Sequence, residues 1–155
     1  MIRQELIHPM VVHFPIAMLT LAALVRVVSL FKWKPFIQEH MELSLQFLLY
    51  VGVFFYGIVL FTGDLAADVV KFQIAKPHLI NQHEDFAYEA LYGFIISVII
   101  EIAGHQIWPK KIKVTKALSV MTLLISMGLM FRASHSGAML VYEQGAAVER
   151  IQETQ

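Results

Sequence analysis

Two histidines and two prolines crowd the mouth of the first apolar run, in the stretch His8-Pro9-Met10-Val11-Val12-His13-Phe14-Pro15. An imidazole taken out of water without a partner costs free energy, so histidine at the start of a membrane span points to a ligand, a proton or a hydrogen-bond partner. Further on, His78 and His83 open another apolar segment, and His135 follows Arg132 by three residues, about one helical turn. The chain has seven histidines and no cysteine. Thiolate metal sites, iron–sulfur clusters, disulfides and thiol catalysis are therefore excluded, and imidazole and carboxylate remain as ligands. Two imidazoles projecting inward from different helices at similar depth form the set that holds a haem iron. His13 and His83 are the expected axial pair, with His8 and His135 as a second pair or as supporting groups and Arg132 for the propionates. The same residues (His13, His83 and His135, with Asp64 and Glu89 as further candidates) could instead hold zinc, copper or iron as a bare ion. No two histidines stand four residues apart, as a compact helical metal motif would have them, which favours a large ligand bridging helices.

Each of these residues also has a plainer reading. Interfacial histidines cap helix ends or bond backbone carbonyls, and that reading is preferred for His40, His78 and His105, while for His8 the two are balanced. Acids near a helix N-terminus are favoured by its dipole, which accounts for Glu84 and Asp85. The methionines spread along the apolar runs read as packing. Ser134 beside His135 is a sequence neighbour, not a catalytic dyad.

The elements that must position these groups are apolar. Hydrophobic residues make up 57% of the chain and charged residues 15%, against about 25% charged in a soluble domain. Four segments emerge, at about 10–31, 43–62, 86–107 and 114–131, followed by a tail over 134–155 in which 141–151 has some helical spacing. The second holds twenty residues without a charge. The third is interrupted by Glu89 and Glu101, and reads as a span whose acids face the bundle. Trp33 between Lys32 and Lys34 is an interfacial anchor, and Trp108-Pro109 closes the third segment. No cleavable signal peptide is evident, since Arg3 is offset by Glu5, so the first run reads as a retained helix.

These segments predict a single all-α domain, a four-helix up-down transmembrane bundle with both termini on one side. That side gathers His8, His13, His78, His83 and His135. The side of the short connectors carries 7 Lys/Arg and 3 acids, the terminal side 5 and 9. By the positive-inside rule the short connectors face the cytoplasm and both termini face outward. Twelve basic and twelve acidic residues balance, which gives nucleic acid no field to bind. His8 and His13 open the first helix as His78 and His83 open the third, with the same five-residue spacing, a hint of two hairpins repeated about the membrane normal.

The opening His8-Pro9-x-x-Val12-His13-Phe14-Pro15-Ile16-Ala17, then Gly63-x-x-Ala66-Ala67, His83, and Gly137-Ala138-x-Leu140-Val141-Tyr142 with Gly145 and Val148, resemble the bacterial membrane family called domain of unknown function 2231. Ala138 stands where relatives often have a second glycine. The resemblance implies a four-span membrane protein and marks His8, His13, His83, Gly137, Leu140 and Tyr142 as important. Relatives joined to Rieske-type iron–sulfur domains imply membrane electron transfer. Three functions follow as expectations: a b-type haem electron-transfer subunit, rather than a stand-alone enzyme; a non-haem metal-binding or transport protein; and a cofactor-free structural or assembly subunit. The lipid bilayer is the expected partner, with another redox protein or a quinone beside it, and self-association is left open.

Overall fold

The computed structural model describes residues 3–148. After a short 3-10 turn at Gln4–Leu6 come α1 (Ile7–Val11), α2 (His13–Val28), α3 (Pro35–Val70), α4 (His78–Ile102) and α5 (Ile112–Tyr142). A π-turn at Ala103–Ile107 and a 3-10 turn at Pro109–Lys111 join the last two. Four candidate membrane spans result: Gln4–Val28, Pro35–Val70, His78–Ile107 and Pro109–Tyr142. No strand occurs among the described residues. The fold is an all-α, four-span bundle.

Local chemistry explains the breaks. Pro15 has no amide hydrogen for the Val11 carbonyl one turn back and its ring crowds that carbonyl. The helix accordingly ends at Val11 and restarts at His13. Pro35 occupies the first turn of α3, where a missing donor is harmless. After α5, Gly145 adopts φ 69° and the Ala146 amide reaches back to the Leu140 carbonyl, closing the helix end.

The helices outrun the apolar segments that announced them. α3 has 36 residues, about 54 Å of helix against a hydrocarbon core of about 30 Å. An apolar run marks the stretch that crosses lipid; beyond it polar residues continue the same hydrogen-bond ladder. α4 begins at His78 rather than near 86, and α5 continues to Tyr142, so the first nine residues of the expected tail are helix while 143–148 are not. The rest of the expected interfacial segment, 149–151, lies outside the described residues.

α2 packs most extensively on α3, and α4 on α5; smaller contacts join α2 to α5 and α3 to α4, leaving α2 and α4 on one diagonal and α3 and α5 on the other. The core holds Leu19, Leu45, Leu49, Phe94 and Leu123, all fully buried. Large apolar side chains such as Phe47, Phe54, Phe61, Ile99 and Ile125 are exposed, as lipid-facing positions should be. At the terminal end a second cluster of Val70, Ile74, Ile80, Leu140 and Ala146 gathers the α3–α4 connector and the chain after α5.

The hint of a repeat has a physical counterpart, in a different register. Burial on α2 recurs on α4 at a separation of 75: Pro15 with Ala90, Leu19 with Phe94, Ala22 with Ser97, Arg26 with Glu101. Burial on α3 recurs on α5 at a separation of 74: Leu45 with Ser119, Leu49 with Leu123, Gly52 with Ser126, Tyr56 with Met130, Ala66 with Leu140. The five-residue histidine spacing would have matched His13 to His83; burial matches His8 to His83 instead. Two hairpins thus pack with an approximate two-fold relation about the bundle's long axis.

Candidate functional site

His8, on the short α1, sits half-buried with Nδ1 3.1 Å from the carbonyl oxygen of Val59. His83, near the start of α4, sits half-buried with Nδ1 3.0 Å from the carbonyl oxygen of Ala133 and 2.9 Å from Ser136 Oγ. A carbonyl oxygen only accepts, so Nδ1 carries the proton of each neutral ring and Nε2 keeps its lone pair. The two ring centroids lie 6.3 Å apart with their planes at 82°.

Glycine makes both seats. A Cβ on Gly63 would come 3.3 Å from His8 Cε1, and one on Gly137 would come 3.0 Å from His83 Cε1. Each ring therefore lies against the backbone of the second helix of its own hairpin, close enough to reach the carbonyl four residues before the glycine. Val59 precedes Gly63 as Ala133 precedes Gly137. Thr62 and Ser136, also equivalent, donate their hydroxyls to those same carbonyls, at 3.0 and 2.8 Å. The repeat relates these two sites atom group by atom group and brings the imidazoles together near its axis.

A family model described as a predicted membrane protein, DUF2231, matches residues 5–150. The chain belongs to the DUF2231 family. No curated protein and no solved structure matches it. Membership covers both histidine seats and all four spans of this DUF2231 chain, and supports a multi-pass membrane protein without supplying an activity.

The remaining expected residues of the DUF2231 chain fall elsewhere. His13 was the expected partner of His83, yet it is exposed on the outer side of α2, five residues beyond His8 and past the helix break. His135 is exposed, although one position before Ser136. Arg132 stacks on the Phe86 ring, 3.6 Å from its centroid, and lies 3.7 Å from Glu89 Oε2, both partners about half exposed. Asp64 is exposed beside Gly63. The structure thus joins His8 to His83 and leaves His13, His135, Arg132, Asp64 and Glu89 on outer faces. Tyr142 is 88% exposed and Leu140 is buried in the terminal cluster.

Sequence reasoning overlooked a second constellation at the opposite end. Arg26 is fully buried; its Nε lies 3.1 Å from Glu101 Oε1, its Nη2 pairs with Glu101 Oε2, and its Nη1 lies 3.1 Å from Glu42 Oε2. Glu42 also receives Lys116 Nζ at 2.5 Å, and Glu101 accepts from Ser119 Oγ. His105 Nε2 stands 3.5 and 3.7 Å from the two carboxylates. The one arginine in the first apolar run and Glu101, one of two acids interrupting the third, were the available signal, since a charge in a span needs a partner.

Proposed function

We propose that this chain is a b-type haem protein of the bacterial inner membrane, in which His8 and His83 hold the iron through Nε2. The observation that carries the reading is the pair of imidazoles 6.3 Å apart, each with Nδ1 committed to a backbone carbonyl. At this separation, with each Nδ1 engaged, the two Nε2 atoms would be the groups that hold one metal between the hairpins. Metal-ligating histidines donate their other ring N–H to a carbonyl or carboxylate, which fixes the tautomer and the ring orientation. A structural zinc ion takes four protein ligands. Among the described residues, the one group of three ligating side chains near enough to share an ion is Glu42, Glu101 and His105, away from this pair. Two imidazoles alone suit a metal whose other positions are filled by its own macrocycle. A near-two-fold seat also suits a cofactor bound equally from both faces.

Haem, when bound, supplies a one-electron couple. The chain's residues then fix the imidazoles: the Val59 and Ala133 carbonyls set tautomer and direction, and the glycines set depth. Charge balance of the connectors supports an outward-facing site, where another redox protein or a membrane quinone would exchange the electron.

The test is the spectrum of the chain purified from membranes. Expected are a Soret band, a reduced α band, and a strongly anisotropic low-spin ferric signal, as near-perpendicular imidazole planes produce. Both His8→Ala and His83→Ala should abolish bis-imidazole ligation, while His13→Ala and His135→Ala leave it intact. A stable, folded protein without haem, whose His8 and His83 variants lose only stability, would sink the reading in favour of histidines that merely cross-link helices.

A further inference from the structure

The four charges at the end opposite the histidines, Arg26 and Glu101 buried and Glu42 and Lys116 part-buried, are distributed over the repeat in a way that duplication alone does not produce. Arg26 and Glu101 occupy equivalent positions, 75 apart, and touch. Glu42 and Lys116 occupy equivalent positions, 74 apart, and touch at 2.5 Å. At each of these positions one hairpin carries the charge opposite to the other's. Several other equivalent positions keep like with like, among them His8 with His83, Gly63 with Gly137 and Leu49 with Leu123.

We infer that this quartet makes the inter-hairpin surface selective: each hairpin accepts the unlike hairpin and rejects a copy of itself. The two hairpins bury matching apolar patterns, so apolar packing alone distinguishes poorly between the hairpin of the same chain and the like hairpin of a second chain. The charges distinguish. In the native pairing the cross-hairpin contacts are Arg26 with Glu101 and Glu42 with Lys116, both attractive, and Arg26 also meets Glu42 within its own hairpin. Pairing two first hairpins by the same two-fold relation would set Arg26 against its own copy and Glu42 against its own copy. Pairing two second hairpins would oppose Glu101 to Glu101 and Lys116 to Lys116. Like charges meeting at the buried Arg26 and Glu101 positions are strongly penalised, and those at the part-buried Glu42 and Lys116 positions less so.

The quartet is the wrong composition for a metal site, although Glu42, Glu101 and His105 approach one another within 4.8 Å. Two acids are already neutralised by Arg26 and Lys116, and every carboxylate oxygen among them is engaged. A divalent cation would enter a site with no net charge to receive it. His105, on the π-turn, is about one-third exposed, and Gln38 and Ser29 complete the hydrogen bonds around the acid–base core.

The experiment uses charge transposition in the full-length chain, read by detergent-extracted yield, size-exclusion profile and thermal midpoint. Arg26→Glu with Glu42→Lys gives both hairpins the same charges. It should lower the midpoint by on the order of 10 °C and shift protein toward aggregates. Adding Glu101→Arg and Lys116→Glu transposes the quartet completely and should recover most of the yield and midpoint, because every pairing is again unlike. Two results overturn the inference. One is a four-fold variant no better than the two-fold one, which would mean that residue identity matters and not complementarity. The other is stabilisation of the unaltered chain by added zinc or manganese that disappears in the four-fold variant, which would assign the cluster to a cation. Neither readout depends on haem.

Discussion

His8 and His83 are equivalent in the repeat but not identical in surroundings. His83 Nδ1 has two acceptors, the Ala133 carbonyl and Ser136 Oγ, whereas the structure gives His8 only the Val59 carbonyl. Stronger donation from Nδ1 leaves more negative charge on the ring and favours ferric iron. On the proposed haem ligation, replacing Ser136 by alanine should therefore retain the group and raise its midpoint potential. The shift should reach up to about 40 mV, taking about 1 kcal/mol for one hydrogen bond. Redox titration checks this, with Ser136→Thr restoring the native value. The glycines give a graded test. Gly137→Ala brings a Cβ to 3.0 Å from His83 and Gly63→Ala to 3.3 Å from His8, while at Gly57 and Gly128 nothing lies within 4 Å. Haem occupancy, measured as haem per polypeptide, should fall most for Gly137→Ala, less for Gly63→Ala, and stay unchanged for the other two. At this scale the sequence names both ring-bearing residues but not their pairing. The even spacing of His8–His13 and His78–His83 suggests a register that Pro15 defeats, because the helix break at Val12 separates His13 from the face that carries His8.

Among the elements, α2 and α4 lie on a diagonal and are tied across the core by one side-chain pair. Arg26 and Glu101 are 0% and 3% exposed, so removing Arg26 strands the Glu101 carboxylate, while removing Glu101 leaves the buried Arg26 with Glu42 as its one acid. Arg26→Ala or Glu101→Ala should cost about 3–5 kcal/mol, read as denaturation in detergent with a calibrated denaturant. Glu42 is 13% exposed and Lys116 21%, nearer water, so Lys116→Ala should be clearly milder than either. The four spans were legible because apolar length in a bilayer is set by its thickness, whatever the partners. Helix ends were less so: α3 runs from Pro35 to Val70 because nothing in its polar flanks stops a helix, and hydropathy does not report that. The depth of acids was half legible. Glu101 does face the core, yet Glu89, in the same segment, lies on the outer surface against Arg132. One helix face cannot be chosen from composition when the span is apolar nearly all round.

The whole molecule is two similar hairpins around one axis, with imidazoles meeting at one end and opposite charges at the other. The first and last of the described residues also approach each other. Arg3 Nη2 donates to the Ala147 carbonyl at 3.2 Å, and the Ala147 amide reaches Gln73 Oε1 at 3.3 Å, which ties the connector between the hairpins to the same corner. If the hairpins are the cooperative units, their order along the chain should matter little. A circular permutant follows, with residue 148 joined to residue 3 by a short Gly/Ser linker and new ends opened in the 71–77 connector. It keeps all four spans in their original orientation, because the junction and the cut lie on one side of the bundle. Buried contacts across the axis survive, including both histidine seats and the charge quartet. The loss is confined to the terminal cluster, where Ile74 packs with Val70, Ile80, Leu140 and Ala146. The permutant should therefore be extracted in good yield, with a modestly lower thermal midpoint and the same optical spectrum as the parent. A permutant that inserts but loses bis-imidazole ligation would show that the connector, and not the packing of hairpin on hairpin, brings His8 to His83.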